Sequence, residues 1–164
     1  MTYKTSLDKL AKIVTVAITV LFFIIIVVEF TLVRNEEISF AIFITILFAL
    51  IYFGLFSFRP ISYKLTENNL IIHRPLSDVK IDRSEIKGVE QLEKSTLSLA
   101  VRIFGVGGLF GYWGKFSNAK LGTMTWYATR KTNAVLVTTI HNKKIILTPN
   151  EPERFVTEFK KLPV

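Results

Sequence analysis

The chain has 164 residues, no cysteine and a net charge of +8, and half of its residues are hydrophobic. The missing cysteine excludes disulfide frameworks, thiolate metal sites and cysteine nucleophiles. The charge excess lies from Arg59 onward, where 17 Lys and Arg stand against 9 Asp and Glu; that draws the segment to anionic surfaces, but without a helix-turn-helix, zinc-finger or single-strand-binding signature nucleic acid is not an expected partner.

The first elements are two apolar runs. Between Ile13 and Val33 the only charge is Glu29, and between Ile38 and Phe58 there is none. At 1.5 Å per residue each makes a helix of roughly 31 Å, enough to cross a hydrocarbon core. Residues 1–59 therefore read as a transmembrane helical hairpin with spans at 13–33 and 38–58. A cleaved signal peptide would end in a small-residue cleavage site, which "VVEFTLVRNEE" does not offer. Glu29 lies about one turn before the exit of its span, close enough for a carboxylate to reach the interface. Lys4, Lys9 and Lys12 precede the first span and Arg59 and Lys64 follow the second, whereas the loop between them carries only Arg34. That bias predicts both termini on the cytoplasmic side.

Residues 60–164 read as a separate, mainly β domain. Pro60 ends the second helix. "ISYKLT" alternates, "ENN" turns, and "LIIHR" returns until Pro75, which makes a hairpin. "VKIDRSEIKGVEQLEK" reads as two short strands broken at "DRSE", and "STLSLAVRIF" as a further strand. Later, "TMTWYAT", "AVLVTTI" and "KIILT" read as a three-stranded meander. Asn150 followed by Glu153, with Pro152 inside the first turn, predicts a capping box. Phe155, Val156, Phe159 and Leu162 then mark one face of a closing amphipathic helix. The expected fold is an antiparallel barrel or sandwich capped by that helix.

Between Arg102 and Phe116, "RIFGVGGLFGYWGKF" holds five of the chain's eight glycines. A dinucleotide fingerprint would need glycines at 105, 107 and 110, but 110 is Phe; a P-loop would need Gly at 109 and Ser or Thr at 116, which are Leu and Phe. The phosphate-cradle reading fails on both spacings. The rings of Phe110, Tyr112, Trp113 and Phe116 beside Lys115 suit a membrane interface, and the same rings suit a barrel core. Both readings stay open, with Trp113 as the residue that decides. The basic turns at Arg130 and Lys131 and at Lys143 and Lys144 are further candidate contacts for membrane or partner. His73 and His141 lack ligand spacing, no nucleophile elbow or carboxylate pair is present, and no catalytic, cofactor or metal residue is assigned.

"FGVGGLFGYWGKF", "YAT" at Tyr127 to Thr129, "NAVLVTT" at Asn133 to Thr139 and "TPNEPERFVTEF" at Thr148 to Phe159 resemble the bacterial pleckstrin-homology-like domains, in the membrane-anchored subset with two N-terminal spans. The resemblance implies a pleckstrin-homology fold in a bacterial inner membrane and a non-enzymatic binding or scaffolding role at its cytoplasmic face. An accessory or regulatory subunit of a larger membrane complex is the alternative. The expected partners are the lipid bilayer and a protein of unknown identity, with self-association left open. Phosphoinositide-binding members carry a Lys/Arg cluster between their first two strands; here that turn is "TENN", so this specificity is not carried over.

Overall fold

The computed structural model describes residues 1–32, 38–93 and 95–161. Arg34 and Leu162, which entered the sequence reading, lie outside the described residues.

Helix α1 runs from Lys9 to Leu32 and α2 from Ile38 to Ser57. Both are long and apolar enough to cross a membrane, α2 without a charge and α1 with Glu29 alone after Lys12. They pack side by side through Phe22 stacked on Phe48 at 5.1 Å and a 2.7 Å hydrogen bond between the hydroxyls of Thr19 and Tyr52. Their outer faces, including Phe23, Phe43 and Phe53, are exposed.

Two sheets follow. The first has the order β1-β2-β3-β4, built from Thr2–Lys4, Ser62–Leu65, Asn69–His73 and Val79–Asp82. A 3-10 turn, Arg83–Glu85, then leads into the second sheet, whose strands are β5 (Ile86–Gln91), β6 (Val101–Gly108), β7 (Gly111–Asn118), β8 (Gly122–Ala128), β9 (Val135–Thr139) and β10 (Lys144–Leu147). Its order is β5-β9-β10-β8-β7-β6. Helix α3, Pro152–Lys161, closes the chain. The expected hairpin and the break at "DRSE" are both present.

Of the two shapes expected, the chain forms the sandwich. Tyr63, Leu70 and Ile72 from the first sheet meet Val89, Val137 and Leu147 from the second, and Phe155 and Phe159 of α3 complete this core. A second core lies on the other face of the six-stranded sheet, around Tyr112, Phe116, Met124, Trp126 and Ile146.

Three expectations are corrected. The first four residues are not merely a basic flank of the helical hairpin: β1 pairs antiparallel with β2, Tyr3 opposite Tyr63, so the chain start belongs to the domain's first sheet. The three C-terminal strands are not a meander either. Strand β10 lies between β9 and β8 and runs parallel to β8, so the sheet is not wholly antiparallel. A strand buried on both faces favours that central place, and Ile145, Ile146 and Leu147 are all buried. Finally, Asn150 does not cap α3. Its Oδ1 accepts from Ser6 Oγ at 2.9 Å and Arg130 Nη1 at 2.8 Å, while the carbonyl of Glu151 accepts the Phe155 N–H at 3.0 Å.

Candidate functional site

The glycine-rich segment is the β6–β7 hairpin. Its strands approach closely because Gly105 and Gly114 face each other across the pair with φ of 109° and 116°. A Cβ on either would run into the opposite backbone carbonyl, of Trp113 or of Phe104. The turn itself is Leu109–Phe110, and Phe110 sits at φ 58°, a left-handed conformation that a bulky side chain adopts only when its surroundings demand it.

The surroundings are the two long helices. Phe110 is buried with its ring edge-on to Tyr52 at 5.0 Å and to Phe56 at 5.4 Å, both on α2. Leu109 and Val106 join the same cluster with Val14 and Ile18 of α1 and Leu55 of α2. The backbone N–H of Phe110 donates to Thr15 Oγ1 at 2.9 Å. Gly108 lets α1 come close, since a Cβ there would sit 3.3 Å from Val14 Cγ1. The hairpin tip is therefore a joint, wedged against the domain-side portions of both helices, at Val14 and Ile18 on α1 and at Tyr52, Leu55 and Phe56 on α2.

A second tie runs through Asp8. Its carboxylate caps α1 by accepting the Ala11 N–H at 2.7 Å, as a residue just before the first helical position does. The same carboxylate accepts the Tyr112 hydroxyl at 3.1 and 3.2 Å and the Lys131 N–H at 3.3 Å. Burial pushes the Tyr112 phenol well above its ordinary value, with the Asp8 charge adding to the rise. Sequence reasoning overlooked Asp8 and Thr15; the cap signal of an Asp directly before "KLAK" was available for the first.

The structure does not gather the nine candidate contacts into one patch. Phe110, Tyr112 and Phe116 are buried inside the chain, Phe116 stacked on Trp126 at 4.3 Å. Trp113 is half-buried, 5.7 Å from Phe58 at the exit of α2. Lys115 is exposed and donates to Thr125 Oγ1 at 3.0 Å. Arg130 is spent on Ser6, Asn150 and the Pro149 carbonyl, and burial lowers its pKa. The Lys131 ammonium lies 5.5 Å from the Tyr112 ring. Lys143 and Lys144 sit at the start of β10, whose other end, Leu147, pairs with Tyr127 next to Trp113; they are thus remote from the helices, and Lys144 Nζ donates to the Leu121 carbonyl at 2.6 Å. The alternation of β7 decides this split: Tyr112 and Phe116 face one core, Trp113 and Lys115 the opposite side.

Arg59, at the end of α2, lies over the Phe56 ring at 4.1 Å, and burial lowers its pKa. With Thr5, Leu7, Ile61, Phe110 and Thr129 it lines a cavity of about 150 Å³ behind the joint. Among the described residues no three His, Asp or Glu side chains come together as metal ligands would.

A family model described as a bacterial PH domain matches residues 61–162, more than half of the chain. No curated protein and no solved structure matches it.

Proposed function

The chain belongs to the bacterial PH domain family, and on that footing we propose that it is a non-enzymatic binding and scaffolding module anchored in the bacterial inner membrane by α1 and α2, with both termini in the cytoplasm. One observation carries this reading: the domain is fixed to both helices, through the buried tip of the β6–β7 hairpin and through Asp8, rather than hung on a loose tether. A module held in that way presents its remaining surface to the inner leaflet and to proteins that approach it. The pairing of β1 with β2 supports the reading that the chain start and the domain share one side of the bilayer.

A reporter fused after Val164 tests the orientation. Activity is expected only in the cytoplasm, and activity only outside it would overturn the reading. Purification from detergent-solubilised native membranes separates the free module from an accessory subunit, since a subunit brings stoichiometric partners with it.

A further inference from the structure

The two edges of the six-stranded sheet differ. Helix α3 packs beside β5, whereas β6 ends the sheet on the other side with Val101, Ile103 and Phe104 exposed at 68, 61 and 74%. Such an edge in water invites another strand. Here the register steps from Arg102 opposite Phe116 to Phe104 opposite Lys115, leaving Ile103 as the extra residue of a bulge. Bulges interrupt the ladder and turn an edge away from pairing, so a protein strand is the poorer occupant.

The face of this edge is continuous with α2. Val106 lies opposite Trp113 and Phe104 opposite Lys115, so the four share one side of the sheet. Leu55 and Phe58, at the end of α2, cover the first pair; the second pair is open. Leu55, Ile103, Phe104 and Trp113 line one groove of about 440 Å³, with Arg102 also in its wall. Leu55 stands in the last turn of α2, so the groove opens at the level where that helix leaves the hydrocarbon. The charged side chains beside it are basic: Arg102 in its wall and Arg74, whose guanidinium lies 5.4 Å from the Phe58 ring. From residue 94 to residue 150 the chain has eight Lys and Arg and no Asp or Glu, which suits an anionic leaflet.

We propose that this groove seats an acidic phospholipid of the adjoining leaflet, with an acyl chain along Leu55, Ile103 and Phe104 and the phosphate facing Arg102. The proposal rests on the reading of α1 and α2 as membrane spans. Lipid, rather than a protein core, then covers the open side of Trp113.

The chain has no cysteine, so single labels can be placed without background. Full-length chains carrying Phe104→Cys, Ile103→Cys, Phe23→Cys in the outer face of α1, or Glu153→Cys in α3 are labelled with a fluorophore. Each is reconstituted in vesicles of phosphatidylglycerol and phosphatidylcholine containing nitroxide lipid. Labels at 104 and 103 are expected to be quenched several-fold more than the label at 153, and less so when phosphatidylglycerol is left out. Quenching at 23 but not at 103 or 104 overturns the groove while leaving the spans in place. No quenching at 23 overturns the span reading itself. Equal quenching in pure phosphatidylcholine overturns the preference for acidic lipid, and self-quenching between labels at 104 without lipid quenching would assign the edge to a second copy of the chain.

Discussion

The Thr15 hydroxyl of α1 accepts the Phe110 backbone N–H at 2.9 Å while donating its own proton to the Ala11 carbonyl at 2.7 Å. One helix side chain thus satisfies a backbone donor of a turn packed against apolar groups of both helices. Thr15→Val preserves the shape but strands that amide, at a cost of about 1–3 kcal/mol. Thr15→Ser keeps the acceptor. Thermal unfolding of the full chain in detergent should show a lowered midpoint for Val and a near-parental one for Ser; equal midpoints would mean that the bond adds nothing to the joint.

Gly114→Ala tests the close pairing of β6 with β7. Its φ of 116° and the Phe104 carbonyl that a Cβ would strike together predict a loss of about 2–6 kcal/mol, combining backbone strain with overpacking. Gly88→Ala is the comparison, because nothing lies within 4 Å of its Cβ position and such surface changes stay within about 0.5 kcal/mol. Low yield of folded protein for the first and normal yield for the second is the expected outcome.

The long helices were readable because an apolar run of that length with at most one charge has few other uses, and the structure places them at Lys9–Leu32 and Ile38–Ser57. The first hairpin followed from alternation and turn residues, which are local, whereas Ile81, Ile86 and Val89 around the break at "DRSE" keep no clean period. Strand β1 was invisible because three residues beside lysines become a strand only by pairing with β2, some sixty positions away. The insertion of β10 between β8 and β9 is likewise a tertiary choice. At the site, the rings of "GLFGYWGKF" were noticed but their directions were not. Those depend on the register across the Gly105–Gly114 pair and on a bulge at Ile103, neither of which leaves a mark in composition. The exposed pair Ile103 and Phe104, read only as strand residues, lay just outside the aromatic cluster that drew attention.

Arg83 links the 3-10 turn to the end of α3. It is buried, its Nη2 donates to the Phe159 carbonyl at 2.9 Å, and its guanidinium lies 4.6 Å from the Phe159 ring. A cation at a helix C-terminus also complements the helix dipole. Arg83→Met retains the apolar stem and removes the donor, so we expect a loss of about 1–3 kcal/mol. Hydrogen exchange resolves where it is felt: amides of α3 should exchange faster while those of β7 and β8 keep their protection. Uniform acceleration across the domain would contradict a local latch.

Tyr112 and Asp8 set how the joint responds to alkali. Burial is the main reason that the Tyr112 phenol stays neutral beyond its ordinary value of 10.0, with the Asp8 carboxylate second, and burial raises Tyr63 in the same direction. A phenol whose folded pKa is raised contributes stability that is fully present below the unfolded value near 10, and that stability is lost as pH climbs from there toward the folded value. The unfolding midpoint should therefore show no phenol-linked change around neutrality and drop above about pH 10. Tyr112→Phe removes one titrating phenol and one hydrogen bond. It should lower stability at neutral pH by about 1 kcal/mol and make the alkaline decline shallower than in the parent. Unfolding midpoints of both proteins from neutral pH to beyond the phenol range decide the matter: if the two curves stay parallel above about pH 10, the linkage belongs to another tyrosine and the Asp8–Tyr112 tie is not what alkali breaks.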